Sequence, residues 1–301
     1  MVTLMARLNL VIIGAQKSAS TFLQNCLKEH PEIYLPKYET PYFEDPDYHN
    51  SVPLDQLIED RAEKVVGIKR PSYLCLSEVP ERIWNDLPNA KLIVVLRNPV
   101  DRLISSYFHQ IKYGTFPPVE FELGVNDIIN QGPLSRRYPR SREIINFGYY
   151  GAGLSRYDKF IKNDQMLILF HSEILNDPLH ELKKCFSFLN VRTDFIPKLL
   201  KSRPQKVVYS IQRLKWLCKR NRFLHDYNED LTRLSVKSMS WFDYAVVAFI
   251  TALDRYCLSL FFSNEKPSID KKLRKLLIDI YAEDIKLLEE MTDRDLSEWT
   301  C

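Results

Sequence analysis

Short apolar runs that alternate with helical patterns constrain the fold of this chain more than any other feature. The runs at residues 8–13, 64–69, 91–96 and 165–170 have the length and the branched aliphatic content of buried strands. Helical patterns separate these runs. Strands that alternate with helices predict an α/β fold, with a central parallel sheet and crossover helices on its faces.

The helical patterns themselves continue to the end of the chain. They lie at residues 20–29, 80–84, 99–110 and 149–162, and they dominate beyond Pro178. The last pattern, at 271–291, predicts a helical C-terminal layer. No repeat or low-complexity linker divides the 301 residues. The length allows one large domain or two small ones, and we expect a single domain over residues 1–301.

Two segments that directly follow predicted strands have the chemistry of anion sites. The first, residues 14–22, reads Gly-Ala-Gln-Lys-Ser-Ala-Ser-Thr-Phe and includes Lys17. Backbone N–H groups at a helix start, a lysine and several hydroxyls can together cradle a phosphate. The P-loop of nucleotide triphosphatases places its lysine after a second glycine, whereas Lys17 follows Gly14 by three positions.

The second segment, residues 96–105, begins where the 91–96 strand ends. Arg97 follows that strand, Pro99 stands at a helix start, and Ser105 lies eight residues beyond Arg97. An arginine fork and a serine hydroxyl can bind a dianionic phosphate from two sides. Two such segments indicate a ligand with phosphate groups at both of its ends.

These segments resemble the sites for the 5′-phosphosulfate and the 3′-phosphate in sulfotransferases that use 3′-phosphoadenylyl sulfate (PAPS). The likeness continues at residues 39–43, 69–73, 170–178 and 293–299, in the family's order and over almost the whole chain. It is nearest to the heparan-sulfate and bacterial branch. One departure is Ala19-Ser20-Thr21 where the family has Gly-Thr-Thr. Small side chains and hydroxyls remain there, so we expect cofactor binding to persist.

The resemblance implies roles for individual residues. It makes Glu39 the catalytic base and Lys17 and Lys69 its cationic partners. It implies that a first group binds the donor: Lys17, Ser18, Ala19, Ser20, Thr21, Phe22, Arg97 and Ser105. A basic loop of the family closes over the 3′-phosphate, which adds Arg203 and Lys206. PAPS is then the donor substrate and 3′,5′-bisphosphoadenosine (PAP) the product, and no metal is required.

Two other functions remain open on the residues alone. A nucleotide kinase or other P-loop NTPase shares the loop and the sheet. Such an enzyme would need a second glycine in the loop, which this chain lacks. It would also be expected to carry a magnesium-binding aspartate at the position where this chain has Arg97. A catalytically silent PAP-binding module is the other possibility. The basic run at residues 198–222 has few aromatic side chains and no recognised motif, so nucleic acid is not an expected partner.

The acceptor is expected to offer a hydroxyl or an amine. Variable loops would build its pocket, at residues 38–50 and 114–142 and along the segment 241–262. The carboxylates Glu44, Asp45 and Asp47 would suit a cationic or polyhydroxylated small molecule, whereas the basic run would suit an acidic glycan. A small molecule is the expectation, and a glycan remains open.

Composition limits where the protein acts. With 42 Lys and Arg against 39 Asp and Glu, the net charge of +3 does not indicate a nucleic-acid partner. The six cysteines show neither CxxC pairs nor the spacing of metal ligands, which is typical of free thiols in a reducing compartment. The first predicted strand begins close to Met1, which leaves no room for a signal peptide. We therefore expect a cytoplasmic protein.

The segment 241–262 is apolar enough to raise the question of a membrane span. It contains Asp243, Asp254 and Arg255, and spanning helices rarely carry three charges in so short a run. Its large residues recur at helical spacing, beginning with Trp241 and ending with Leu260. The pattern predicts an amphipathic helix that packs on the protein core.

Overall fold

The computed structural model describes residues 7–50, 61–201 and 207–300. Contacts within it define two compact units. The first unit comprises the described parts of residues 1–99, 149–204 and 281–301, and the second those of 100–148 and 205–280. Each unit is described separately below, and the expectation of a single domain stays a prediction.

The first unit contains a five-stranded sheet in which every pair of neighbouring strands is parallel. The strands are β1 Leu8–Gly14, β2 Ile33–Tyr34, β3 Val65–Lys69, β4 Lys91–Leu96 and β5 Met166–Phe170. Their order across the sheet is β2-β3-β1-β4-β5. This confirms the predicted α/β fold and all four predicted strands. The short edge strand β2 is an addition.

Helices lie in both units. The α-helices are α1 Ser20–Lys28, α2 Val79–Asp86, α3 Pro99–Lys112, α4 Phe121–Ile129, α5 Pro133–Arg137, α6 Glu143–Asn146, α7 Tyr150–Ser155, α8 Asp158–Lys162, α9 His171–Asn176, α10 Pro178–Leu189, α11 Ile211–Leu224, α12 Trp241–Leu253, α13 Ser259–Phe261 and α14 Lys271–Thr292. Short 3₁₀ turns lie at Tyr73–Cys75, Pro139–Arg142, Lys198–Lys201 and Ser297–Thr300.

The central position of β1 explains why its sequence is continuously apolar. Its residues from Leu10 to Ile13 are completely buried because both faces of a parallel sheet are covered by helices. Gly67 on β3 pairs with Leu10, and a β-carbon at Gly67 would come within 2.9 Å of Leu10 and Leu35. The strands β3, β1 and β4 are adjacent and parallel, so their carboxyl ends meet at one edge of the sheet. Open α/β sheets bind ligands at such an edge.

The C-terminal part of α14 completes the first unit. The carboxylate of Asp284 accepts hydrogen bonds from the N–H groups of Gly151 and Ala152, at 2.9 and 2.8 Å. Downstream, the ring of Trp299 lies 6.0 Å from the ring of Phe170 at the end of β5. The predicted helical C-terminal layer is therefore confirmed.

The second unit is mostly helical, with one two-stranded antiparallel sheet formed by β6 His225–Tyr227 and β7 Leu234–Val236. Helix α12 continues through a π-helical turn, Asp254–Leu258, into α13. The helix predicted at 241–262 is thus confirmed, but its predicted packing on the core is wrong. Only 6% of its most apolar window is buried, and Trp241 is 81% exposed.

The orientation of this helix has a polar cause. Asp243 accepts hydrogen bonds from Ser240 in a capping box at the helix start, and it is buried. Asp254 accepts two hydrogen bonds from Arg213 of α11, at 2.8 and 2.9 Å. Asp254 therefore lies on the side that faces α11, and the apolar residues of the opposite side face outward.

Candidate active site

A tight loop connects β1 to α1 and forms the base of the site. The N–H of Ala15 donates to the carbonyl of Val95 on β4, at 2.8 Å, which holds the loop across the strand ends. Lys17 and Ala19 adopt left-handed backbone conformations, with φ angles of 68° and 70°. Ala19 stands where the family that the sequence resembles has the glycine of Gly-Thr-Thr. For a residue with a β-carbon this conformation costs about 1 kcal/mol.

The loop offers unfilled hydrogen-bonding capacity. No side chain caps α1, so the N–H groups of its first turn face outward from the helix start. The hydroxyl of Ser18 is completely buried and has no hydrogen-bond partner within the described residues. An anion at the start of α1 would supply acceptors to both, because helix N-termini favour negative charge.

Arg97 joins the two segments that the sequence separates by eighty residues. Its guanidinium donates from Nη1 to the carbonyl of Lys17, at 3.1 Å. Its Nε is buried and unpaired within the described part of the chain. A buried donor without a partner is costly, so this N–H is suited to a ligand acceptor.

Lys69 occupies the centre of the site, at the end of β3. It is only 1% exposed, and its ammonium donates to Thr21 Oγ1 at 2.7 Å and to Glu39 Oε1 at 2.9 Å. A backbone hydrogen bond from Thr40 to the carbonyl of Lys69, at 3.1 Å, fixes the segment that carries Glu39. Lys69 thus links the loop helix to the carboxylate, and the ion pair compensates for its burial.

Glu39 differs from Lys69 in its access to solvent. Its side chain is 41% exposed, and its second oxygen lies 3.5 Å from Nη1 of Arg70. The carboxylate is therefore held from one side by two cations and open on the other. A general base needs this combination of fixed orientation and access.

Sequence reasoning missed the pairing of Arg70 with Glu44. The guanidinium binds both oxygens of Glu44, at 2.5 and 2.6 Å, and the hydroxyl of Ser72 donates to the same carboxylate. Burial lowers the pKa of Arg70. Hydrogen bonds and charge from Glu44, together with the charge of Glu39, raise it by a larger amount, so the net shift is upward. No signal in the sequence indicated this pairing.

The same contacts change the meaning of the acidic residues near Glu39. Glu44 is occupied by Arg70, and Asp45 pairs with Arg82 at 2.8 Å. These carboxylates serve local structure, so they give less support to a cationic acceptor than the sequence suggested.

The remaining predicted residues have different positions. Lys17 and Phe22 are half-buried, and Phe22 packs against the core cluster of the sheet. Ser20 is buried, with its hydroxyl 3.5 Å from the carbonyl of Ala15. Ser105 is buried on α3 and belongs to the second unit, so its pairing with Arg97 stays a prediction. Arg203 and Lys206 lie outside the described residues.

No cluster of three or more His, Cys, Asp or Glu side chains able to hold a metal ion occurs in residues 7–50, 61–201 and 207–300.

Comparison with known proteins is consistent with this geometry. Residues 8–258 match the family model described as the sulfotransferase domain. The chain is 28% identical over 195 residues to the human bifunctional heparan sulfate N-deacetylase/N-sulfotransferase 2, a match that covers 60% of this chain and 22% of that protein. It is 29% identical over 185 residues to the mouse heparan sulfate glucosamine 3-O-sulfotransferase 3B1, which covers 60% of this chain and 46% of the relative. The matches thus span less than half the length of these relatives.

A solved structure supports the fold. The crystal structure of a sulfotransferase from Alicyclobacillus acidocaldarius superposes with a TM-score of 0.67 and 22% sequence identity. The superposition covers 98% of this chain and all of that one. At this identity the likeness establishes the fold alone.

Proposed function

This chain belongs to the sulfotransferase family, and from that premise we propose that it transfers a sulfuryl group from PAPS to a hydroxyl or amine of an acceptor and releases PAP. The observation that carries the proposal is the buried ammonium of Lys69, which joins Thr21 at the start of α1 to the carboxylate of Glu39. This contact unites a phosphate-type loop with a positioned base. Sulfuryl transfer needs both.

The donor side is built from the loop and from the residue after β4. The N–H groups at the start of α1, the hydroxyl of Ser18 and the Nε of Arg97 offer the unfilled donors for the phosphates. We assign Lys17, Ser20, Thr21 and Phe22 to the same site, together with Ala19, whose small side chain leaves the loop backbone accessible. Ser105, Arg203 and Lys206 complete the proposed 3′-phosphate contacts.

The chemistry then follows from the charges. PAPS, when bound, supplies the sulfuryl group and a phosphate leaving group. Glu39 accepts the proton of the acceptor hydroxyl or amine as the acceptor attacks. Lys69 and Arg70 orient this carboxylate, and Lys17 stabilises the negative charge that develops on the bridging oxygen. Proximity of the bound donor and acceptor provides a further part of the rate.

We propose a polyhydroxylated acceptor, either a small saccharide or a saccharide part of a glycan. The names of two relatives refer to heparan sulfate or its glucosamine. The engagement of Glu44 and Asp45 by arginines argues against a strongly cationic acceptor. A reducing, cytoplasmic setting is also proposed, since the described cysteines Cys26, Cys75, Cys185, Cys218 and Cys257 are all free.

The test uses the full chain with ³⁵S-labelled PAPS and a panel of sugars, glycans, phenols and amines. Label in an acceptor, with PAP released in equal amount, is the expected result. Thermal unfolding with PAP should show stabilisation that ATP plus magnesium does not give. The opposite pattern, stabilisation by ATP and none by PAP, would contradict the proposal. Stabilisation by PAP with no transfer to any acceptor would favour the silent binding module.

A further inference from the structure

The second unit exposes an unusually apolar surface along α12, the π-helical turn and α13. Seven of the fifteen large apolar side chains that are exposed in the described residues lie in this one stretch. We define the outer face by Trp241, Tyr244, Phe249, Tyr256 and Leu260, which recur at the spacing of a single helix side. Isolated exposed apolar residues are ordinary, but a continuous row of this length marks an interaction surface.

Polar groups tie the opposite side of this helix to the unit at three places. Asp243 lies 3.8 Å from the ammonium of Lys237 at the start, and Asp254 pairs with Arg213 in the middle. Beyond α13, the side chain of Asn264 accepts from the N–H of Tyr209 at 2.7 Å and donates to the carbonyl of Val207 at 2.8 Å. The helix is thus fixed along its length, with the outer face open.

The exposed charges of this helix and of α11 are positive. Between residues 241 and 261, Arg255 is the only charged residue that is exposed. Helix α11 packs against α12 and carries five cations and no carboxylate, and its Lys215, Lys219 and Arg222 are exposed. Burial lowers the pKa of Lys112, and the nearby charge of Arg220 lowers it further, which reflects the crowding of cations around Asp254.

We propose that the outer face binds the surface of a lipid bilayer that contains anionic lipids, with α12 lying in the plane of the membrane interface. Helices of this type place an apolar side rich in Trp, Phe and Leu among the acyl chains and keep cations near the headgroups. Clusters of Lys and Arg beside such a helix attract the negative surface potential of anionic lipids.

An orientation in the plane fits the contacts better than a span. The stretch Trp241–Phe261 has 21 residues and a mean hydropathy of 1.4, so length and composition alone would allow it to cross a membrane. Crossing would separate Asp254 from Arg213 or carry this ion pair into hydrocarbon. An interfacial position preserves the pair and buries only the outer face.

A second copy of this chain is a poorer occupant than a bilayer. A two-fold contact between two outer faces would cover Arg255 of each copy with a helix side that carries no exposed carboxylate. Charged groups that lose their water without gaining a partner are unfavourable in a contact. Anionic headgroups would instead neutralise them.

The first experiment measures co-sedimentation of the full chain with vesicles of phosphatidylcholine, alone or mixed with phosphatidylserine. The test variant is Trp241→Ser/Phe249→Ser/Leu260→Ser, which removes large side chains only from the outer face. The matched control is Leu123→Ser/Leu175→Ser, which removes exposed leucines elsewhere. We expect binding to the mixed vesicles to fall roughly tenfold or more in the test variant and to remain unchanged in the control.

Folding is checked separately by thermal unfolding with PAP, which should stabilise all variants as it stabilises the unmodified chain. Absence of binding to both kinds of vesicle by the unmodified chain would overturn the proposal. A dimer in light scattering that the test variant converts to a monomer, without vesicle binding, would assign the face to a second copy instead. Equal loss of binding in the control variant would also contradict the assigned surface.

A second experiment tests the electrostatic part and the depth. Arg255→Gln/Lys219→Gln should weaken binding to mixed vesicles severalfold while leaving the weaker binding to phosphatidylcholine unchanged. The fluorescence of Trp241 is the part that is lost in the variant Trp241→Phe. Lipids brominated near the headgroup should quench this part. Labelling of the exposed Cys257, scored against Cys257→Ser, should slow when vesicles are added. Strongest quenching by lipids brominated at the bilayer centre, with resistance to alkaline extraction, would overturn the interfacial orientation.

Discussion

The edge of the sheet and the outer face of α12 depart from ordinary burial in opposite directions. At the sheet edge a lysine is buried, with Lys69 only 1% exposed, whereas on α12 a tryptophan is 81% exposed. The buried lysine is compensated by Thr21 and Glu39. The exposed tryptophan has no such compensation within the unit. Both are informative because the stability of the fold does not by itself explain a buried charge or a large exposed apolar side chain.

The largest expected effect comes from removing the charge of Glu39 at the sheet edge while the shape of its side chain is kept. Glu39→Gln keeps the shape of the side chain but removes the base, so we expect turnover to fall roughly 100-fold or more. Binding of PAP, measured by thermal shift, should be nearly unchanged. Glu290→Gln, an exposed carboxylate on α14, serves as the control and should retain full activity. Full activity of Glu39→Gln would remove Glu39 from the mechanism.

The comparison can be sharpened within α12 itself, where one of two consecutive residues is buried and the other is exposed. Ile250 is 6% exposed and Phe249 is 64% exposed. Ile250→Ala should lower the free energy of unfolding by about 3 kcal/mol because it leaves a cavity. Phe249→Ser, a larger chemical change, should alter it by only about 0.5 kcal/mol. Denaturant unfolding measures both, and equal losses would mean that the outer face is buried against protein.

An intermediate effect is expected where the sheet edge uses charge for structure. Arg70→Ala removes both hydrogen bonds of the guanidinium to Glu44 and leaves a largely buried carboxylate with the hydroxyl of Ser72 but without a cation. We expect a loss of about 2 kcal/mol, reduced from the value of a fully buried pair because Arg70 is partly exposed. Arg70→Ala/Glu44→Gln should recover part of this loss in thermal unfolding. A double variant less stable than the single one would refute the pairing as the cause.

The smallest effect concerns the backbone of the loop. Ala19→Gly removes the β-carbon from a left-handed residue, and the protein should become more stable by about 1 kcal/mol. Catalytic turnover and PAP affinity should stay close to those of the parent chain. The melting temperature provides the measurement, with Ala152→Gly on α7 as a helical control that should lose stability. A decrease in both variants would show that Ala19 is not strained.

Much of the sheet edge was predictable because local pattern determines it. Apolar runs predicted the strands, and the carboxyl ends of parallel strands bring Lys17, Lys69 and Arg97 to one edge. The contact of Arg70 with Glu44 was not predictable, since a charged residue in a sequence does not reveal its partner. The left-handed conformation of Ala19 was also hidden, because alanine does not mark it as glycine would.

The error on α12 has a different origin. Periodicity correctly predicted a helix and correctly grouped Trp241 with Leu260 on one side. It could not predict which medium this side faces, because a protein core and a bilayer select the same apolar pattern. The pair of Asp254 with Arg213 of α11 decides the orientation, and only folding brings these two residues together.

The first unit is assembled from three separated stretches of sequence, and this has a consequence for biosynthesis. While the chain emerges from the ribosome, β5 and α7 are complete long before Asp284 and Trp299 are made. Until then the ring of Phe170 and the N–H groups of Gly151 and Ala152 lack their final partners. A nascent chain paused before Tyr281 is therefore an aggregation-prone intermediate. Chaperones that bind apolar segments would recognise it.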